Sequence, residues 1–433
     1  MTLPRPIREK QTDIVIIGGG PAGIGAAIAA GRCGADVLLV ERAFCLGSSA
    51  TLSLAAGLLT QFSGERRVIG GIAQEITDEL IEMGEANRII TPMSVAPDII
   101  VERVEVNPEI YKYLAEQKVI ESGAKLLYNG LLTDVAVVGN RITSVLIDTK
   151  SEQWRISANV FIDATGDGDL AVLAGADFDK GDPKRGDMQP MTLYFQAGNA
   201  DVAQIQAFWH SDARRELINR GNDEGILPTR YMALHTPNWT SDIIIGMTRV
   251  RADGTDPIAL TKAQIETRAQ VHRIWQFLKQ HYPGFEDAYI TATAPMIGIR
   301  ETRRIVGDYT LTRTDVLEAV QFEDQIALGC YPIDIHHPNQ PGIFFEALKS
   351  GEAYGIPYRC LLPKGIEQLL VAGRCISATH EALGSVRASM TCMAMGQAAG
   401  VAATHCIQNE DSPRSLDVQF VQNSLRKQKA ILE

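Results

Sequence analysis

The chain lacks any uninterrupted apolar run of the length that spans a bilayer, about 18 residues or more, so no transmembrane helix is expected. It also lacks a basic excess. Its 41 Lys and Arg stand against 52 Asp and Glu, a formal charge of −11, which argues against nucleic acid and an anionic membrane surface as partners. An anionic small molecule stays open, because a local arginine cluster can oppose the global sign. Paired cysteines are missing. The seven, at positions 33, 45, 330, 360, 375, 392 and 406, form no CxxC, so neither a zinc site nor a thioredoxin-like centre is suggested, and the odd, dispersed set fits free thiols. Cys45 alone lies in a loop where a redox role is a minor alternative. Histidines number eight, in no metal-ligating pattern, so no metal is expected. The opening MTLPRPIREKQT holds no long apolar stretch and does not read as a signal peptide, which makes the cytoplasm the expected compartment. What is present is 433 residues, 45% hydrophobic and 21% charged, ordinary for a globular enzyme and long enough for two domains.

The most informative stretch is Asp13 to Glu41, DIVIIGGGPAGIGAAIAAGRCGADVLLVE. An apolar run meets Gly18-x-Gly20-x-x-Gly23 without a spacer, a small-residue helix follows, and a second apolar run ends on Glu41. That is strand, glycine turn, helix, strand and acid, the unit that binds an ADP moiety. Gly18 permits the tight turn, Gly20 lets the backbone approach a pyrophosphate, and Gly23 lets helix and strand pack closely. Pro21 and Ala22 open the helix, whose free N–H groups and partial positive charge suit phosphates. Glu41 suits ribose hydroxyls and repels a 2′-phosphate; Arg42 follows it.

Three further segments carry a resemblance: IDATGDGD at 162–169, LLVAGR at 369–374 and MGQAAG at 395–400. With IGIRETRRIVGDYTLT at 297–312, they make the chain resemble FAD-dependent oxidoreductases of the glutathione-reductase-like flavoprotein superfamily, related to the fumarate reductase and succinate dehydrogenase flavoprotein subunits. The resemblance implies FAD, an α/β fold with a Rossmann-like parallel sheet plus β-meander, and an inserted α+β substrate domain. The expected division is a discontinuous FAD domain, 1–180 and 355–433, around a substrate domain, 181–354. Implied FAD contacts are Ala164, Thr165, Gly166, Asp167, Gly373 and Arg374, with Gly47, Ser48, Ser49 and Thr51 from the loop after Glu41. Backbone N–H groups of Gly396, Gln397 and Ala398 are implied at the flavin pyrimidine edge, on a helix N-terminus. Ser and Ala stand where fumarate-reductase-type members carry a histidine for covalent attachment, so FAD is expected to be non-covalent.

The expected activity is hydride transfer between flavin and a small polar organic substrate, a carboxylate-bearing one being an option. A monooxygenase or oxidase using O2 is the alternative, and a non-catalytic binding protein on the same fold a further one. Arg300, Arg303 and Arg304 suit a carboxylate clamp or a proton donor; ion pairing with Glu301 and Asp308 explains them equally. His380, before the last helix, is the first candidate for moving a proton, followed by His336 or His337; satisfied core histidines are the rival for each. The electron acceptor is of unnamed class, and homo-oligomer assembly is allowed.

Overall fold

Two main sheets and the apolar clusters packed on them organise the chain. The computed structural model describes residues 6–93, 96–237, 240, 242–336 and 343–433. Strand β1 (Ile7–Ile17) runs into helix α1 (Pro21–Arg32) and then strand β2 (Val37–Glu41). The strands pair in parallel, Ile14 beside Val37 and Ile17 beside Val40. Lys125–Tyr128 extends the sheet beyond β2, and Gln153–Asp163 lies on the other side of β1, both parallel. Leu369–Val371 returns late in the chain to pair in parallel with Phe161–Asp163. Arg141–Asp148 and Leu131–Val138 add an antiparallel arm. The fold is therefore α/β, with a parallel core and a β-meander. Ile14, Ile16, Val37 and Leu39 are fully buried, as expected of strands covered on both faces.

Helix α1 lies against the long C-terminal helix Ser389–Asn409. Glycines set this contact. A Cβ on Gly396 would sit 1.9 Å from the Ala22 carbonyl oxygen, and one on Gly400 2.3 Å from that of Ala26. On the facing helix, Gly25 would meet the Met393 carbonyl oxygen at 2.3 Å. Local signals behave as their chemistry requires: Asn107 caps the helix Pro108–Glu121 by accepting from the Glu109 N–H. Asp256 likewise caps the helix Pro257–His281, accepting from the Ile258 and Ala259 N–H groups.

The second sheet is antiparallel, in the order Ala233–His235, Ile243–Gly246, Phe195–Gly198, Tyr289–Thr293. Its apolar cluster draws mainly on residues 191–297 and includes helix Pro257–His281. Residues from Leu311 onward pack in the first cluster, with α1 and the C-terminal helix. No helix among the described residues is long and apolar enough to cross a membrane.

Candidate active site

The glycine turn is built by exclusion. Gly18 has φ +102°, and a Cβ there would lie 2.5 Å from the Ala164 carbonyl oxygen. A Cβ on Gly23 would lie 1.8 Å from the Gly18 carbonyl oxygen. Gly20 is different: its nearest neighbour would be the Ser48 Cβ at 3.5 Å, so its bare backbone faces open space. Gly20 is also the N-cap of α1 and carries no side chain to satisfy the first-turn N–H groups. Glu41, at the end of β2, accepts from the Gly19 N–H at 2.6 Å and the Ala43 N–H at 2.7 Å. Its carboxylate is thereby fixed at the wall of a large cavity.

A second strand end supplies the opposite wall. Asp163, fully buried, accepts from the Thr165 N–H and hydroxyl and from the Ala171 N–H. Those bonds shape the turn Ala164–Asp167, which lines the cavity. Asp167 holds Arg374 at 2.8 Å and the Thr302 hydroxyl at 2.6 Å. Arg374 Nη1 is buried and has no hydrogen-bond partner in the protein. The cavity, about 1110 Å³, runs without interruption from Gly18 and Glu41 past Ser48, Ser49 and Arg374 to Arg300 and His336. It suits FAD at each point. There is a bare helix N-terminus for the diphosphate, an acid for the ribose, and an orphaned guanidinium nitrogen beside them. Its far end leaves room for a substrate.

At that far end Arg300, Arg387, Asp334, His336, Tyr194 and Tyr231 converge. Arg300 donates to the Pro190 carbonyl at 2.6 Å and the Thr192 hydroxyl at 2.8 Å. Arg387 reaches the Asp334 carbonyl at 3.2 Å and its carboxylate at 3.4 Å. Tyr331 donates to the same carboxylate at 3.3 Å. His336 Nε2 lies 3.3 Å from Asp334 Oδ1, and Tyr231 meets the imidazole edge-on. Burial alone raises the Asp334 carboxyl; His336, Arg387 and Arg300 outweigh it and hold it at about 2. Burial and then Arg300 push His336 down to about 4, so the imidazole is neutral near pH 7.

His336 should leave a signature in acid stability. An unfolded imidazole titrates near pH 6.5, so between about 6.5 and 4 the folded chain binds fewer protons and loses stability as pH falls. Asp163 acts oppositely. Burial raises its carboxyl to about 6, so its contribution grows as pH falls from 6 and is lost as pH rises through that value. The two partly offset, so the informative measurement is a difference. Between about pH 7 and pH 4, the urea-unfolding free energy of His336→Gln should gain roughly 3 kcal/mol on the parent. A pH-independent gap would show that the imidazole is not held neutral.

Other expected site residues lie elsewhere. His380 does not line the cavity. It opens the helix His380–Val386, is buried, and sits with Nδ1 2.9 Å from Glu301 Oε1. Glu301, also fully buried, pairs with Arg304 and accepts from the Gln189 N–H, so the histidine belongs to an internal ion knot. Arg303 pairs with Asp169 and donates to the Asp167 carbonyl, behind the turn. Ion pairing therefore accounts for Arg303 and Arg304, and Arg300 alone of the three faces the cavity. Asp308 pairs with Arg414. Gly396, Gln397 and Ala398 are not at a helix N-terminus but two turns inside Ser389–Asn409, where their N–H groups serve the helix. The Gln397 side chain bonds Ile72 and Gln428. The first turn of that helix, at Ser389 and Cys392, is what lines the cavity. Gly47 and Thr51 turn inward: Gly47 donates to the Gly19 carbonyl, and Thr51 is buried on the Leu46 carbonyl. Cys45 is half-buried near Thr51, its thiol raised by burial, and does not line the cavity. His337 lies outside the described residues. Asp334, Tyr194, Tyr231 and Tyr331 went unread; their only sequence signal is polarity on otherwise apolar strands and loops.

Comparison with known proteins agrees with this architecture. No curated protein matches the sequence. Among solved structures, BexE, studied for oxidation during BE-7585A biosynthesis, is 13% identical with a TM-score of 0.50, over 96% of this chain and 66% of that chain. A geranylgeranyl bacteriochlorophyll reductase-like protein from Thermoplasma acidophilum is 14% identical with a TM-score of 0.48, over 98% of this chain and 85% of that chain. The p-nitrophenol 4-monooxygenase PnpA from Pseudomonas putida DLL-E4 is 8% identical with a TM-score of 0.48, over 96% and 84%. At 13% identity and a TM-score of 0.50, the likeness to BexE is one of fold alone. The family model for FAD-dependent oxidoreductases, however, matches residues 13–425, nearly the whole chain, and with the nucleotide-shaped cavity this makes the protein an enzyme of the FAD-dependent oxidoreductase family.

Proposed function

We propose that this enzyme exchanges a hydride between non-covalently held FAD and a small polar substrate that carries a carboxylate. When bound, the flavin supplies the two-electron chemistry. The chain supplies the rest. Gly18, Gly20, Pro21, Ala22 and Gly23 receive the diphosphate, and Glu41 and Arg42 flank the adenosine ribose. Ser48, Ser49, Ala164, Thr165, Gly166, Asp167, Gly373 and Arg374 line the remainder of the cofactor channel. The first turn of Ser389–Asn409 takes the ring-side role first assigned to Gly396–Ala398. We keep the division into a cofactor part, 1–180 and 355–433, and a substrate part, 181–354, with the segment from Leu311 packed on the cofactor side. Descent from a common ancestor with the fumarate reductase flavoproteins fits this plan.

One observation carries the substrate class. At the far end two guanidiniums, Arg300 and Arg387, face the single carboxylate Asp334, and His336 is neutral near pH 7. One positive charge on the cavity wall is left without a facing carboxylate, and a half-buried charge in that position is unfavourable. A bound carboxylate removes that cost, with guanidinium forks as its donors. The test is anaerobic addition of small carboxylic acids to the yellow holoenzyme. A shift or bleaching of the visible flavin band by carboxylates, and not by the matching amides, is the expected result. No response to any carboxylate would overturn the assignment. A band that bleaches only with a nicotinamide donor, and a substrate hydroxylated once O2 is admitted, would replace it with a monooxygenase.

A further inference from the structure

A second histidine–carboxylate pair faces the same cavity from another wall. His235 ends the strand Ala233–His235 and lines the cavity, as does Arg103. His235 Nδ1 lies 3.0 Å from Oε1 of Glu105, a residue 1% exposed on the strand Ala96–Val106. Arg103 donates to the same oxygen at 2.9 Å, and Glu105 Oε2 is buried without a hydrogen-bond partner. Across the sheet Glu105 pairs with Gly57 on one side and Asn87 on the other. A Cβ on Gly57 would stand 3.0 Å from the imidazole Cε1, so the glycine is what makes room for the ring. Tyr194 bridges the two ends: its ring is 6.2 Å from His235, and its hydroxyl feels the charge of Arg300.

The tautomer follows from the partners. Burial raises the Glu105 carboxyl, but His235 and Arg103 outweigh it and keep the group ionised. An ionised carboxylate only accepts, so the Nδ1 that faces it carries the proton. In the neutral ring Nε2 is then the bare lone pair, on an imidazole oriented by a carboxylate, the arrangement of a general base. His336 is arranged differently, with Nε2 toward Asp334 and its basicity suppressed by burial and Arg300.

We propose that His235, oriented by Glu105, takes the substrate's O–H or N–H proton, and that the substrate is therefore a carboxylate that also carries an alcohol or amine on an oxidisable carbon. The inference rests on the carboxylate reading above. In the step, the substrate C–H bond breaks and its electron pair leaves as hydride to the oxidised flavin. The O–H or N–H proton passes to His235 Nε2, and the freed pair forms the C=O or C=N bond. The substrate carbon loses two electrons, which bound oxidised flavin would accept. Arg300 and Arg387 hold the carboxylate, and Glu105 is a positioning residue that stabilises the imidazolium.

The test uses the FAD-loaded full chain under anaerobic conditions with hydroxy acids, amino acids and, as controls, propionate and simple alcohols. Propionate should shift the flavin band without bleaching it, and at least one hydroxy or amino acid should bleach it. His235→Ala should keep its FAD and its propionate response, while bleaching slows by about 10²–10⁴-fold and is partly restored by added imidazole. Glu105→Gln should slow bleaching with KM little changed. Independently of turnover, the ¹⁵N shifts of the neutral His235 ring should show the proton on Nδ1 and Nε2 bare. A neutral ring with its proton on Nε2, or undiminished bleaching by His235→Ala, overturns the base assignment. If carboxylates shift the band and no hydroxy or amino acid bleaches it, the substrate class is wrong and the carboxylate reading survives. If no carboxylate shifts or bleaches it, the carboxylate reading itself has failed.

Discussion

Gly23→Ala is expected to leave a protein without flavin. The new Cβ would stand 1.8 Å from the Gly18 carbonyl oxygen, and both partners are backbone, so no side chain can swing aside. Relief requires moving the start of α1 away from β1. That breaks the turn, turns the first-turn N–H groups off the diphosphate and disturbs the packing of α1 on the C-terminal helix. Overpacking a core usually costs about 1–3 kcal/mol, and a clash with fixed backbone belongs at or above that upper figure. The variant should purify colourless or not fold, read from flavin absorbance per mole of protein and from Tm with and without added FAD. Gly34→Ala is the control. Unlike Gly23→Ala, which alters a helical glycine, it replaces a left-handed one, φ +89°, but nothing lies within 4 Å of the new Cβ. It should cost about 1 kcal/mol and keep the flavin. Full FAD loading in Gly23→Ala would refute the cradle.

The contrast between these glycines explains what was legible beforehand. Gly18, Gly20 and Gly23 answer to constraints a few residues apart, a turn, a helix start and a close crossing, so their spacing alone reveals the geometry. MGQAAG was legible as a close-packed helix but not as helix interior; the chain turns at Ala388, seven residues earlier, with no side-chain cap to mark the start. His380 and His336 look alike in sequence, each a histidine near an acid or a turn. What separates them is a partner far along the chain. Glu301 draws His380 into an ion knot, while Asp334 and Arg300 leave His336 on a cavity wall. Tyr194, Tyr231 and Tyr331 carry no local pattern that marks them; only their assembly around Asp334 gives the hydroxyls a site to serve. His235 depends on Gly57 and Glu105, which lie on two other strands paired with each other, so no local pattern announces it.

Arg387→Met should produce the second large effect, and a double variant separates its two parts. Removing the guanidinium takes a counter-charge from Asp334, whose carboxylate is buried and has an oxygen without a hydrogen-bond partner. Breaking a buried pair by deleting one partner costs about 3–5 kcal/mol, mainly because the surviving charge stays buried. Arg300 is also near Asp334 and limits the loss, which places the expected penalty toward the lower figure. Asp334→Asn in the same chain removes the stranded charge and should restore much of the stability. Carboxylate binding should not return with it, because the donor is still missing. Losing a charge-assisted bond to a buried anion costs about 1.5–3 kcal/mol, roughly a 10- to 100-fold weaker response of the flavin band to propionate. Urea unfolding of the four proteins closes the cycle for stability, and the propionate titration closes it for binding. If stability and propionate response recover together in the double variant, Arg387 only neutralises Asp334; if stability alone recovers, Arg387 is a substrate ligand whose partner in the resting enzyme is Asp334.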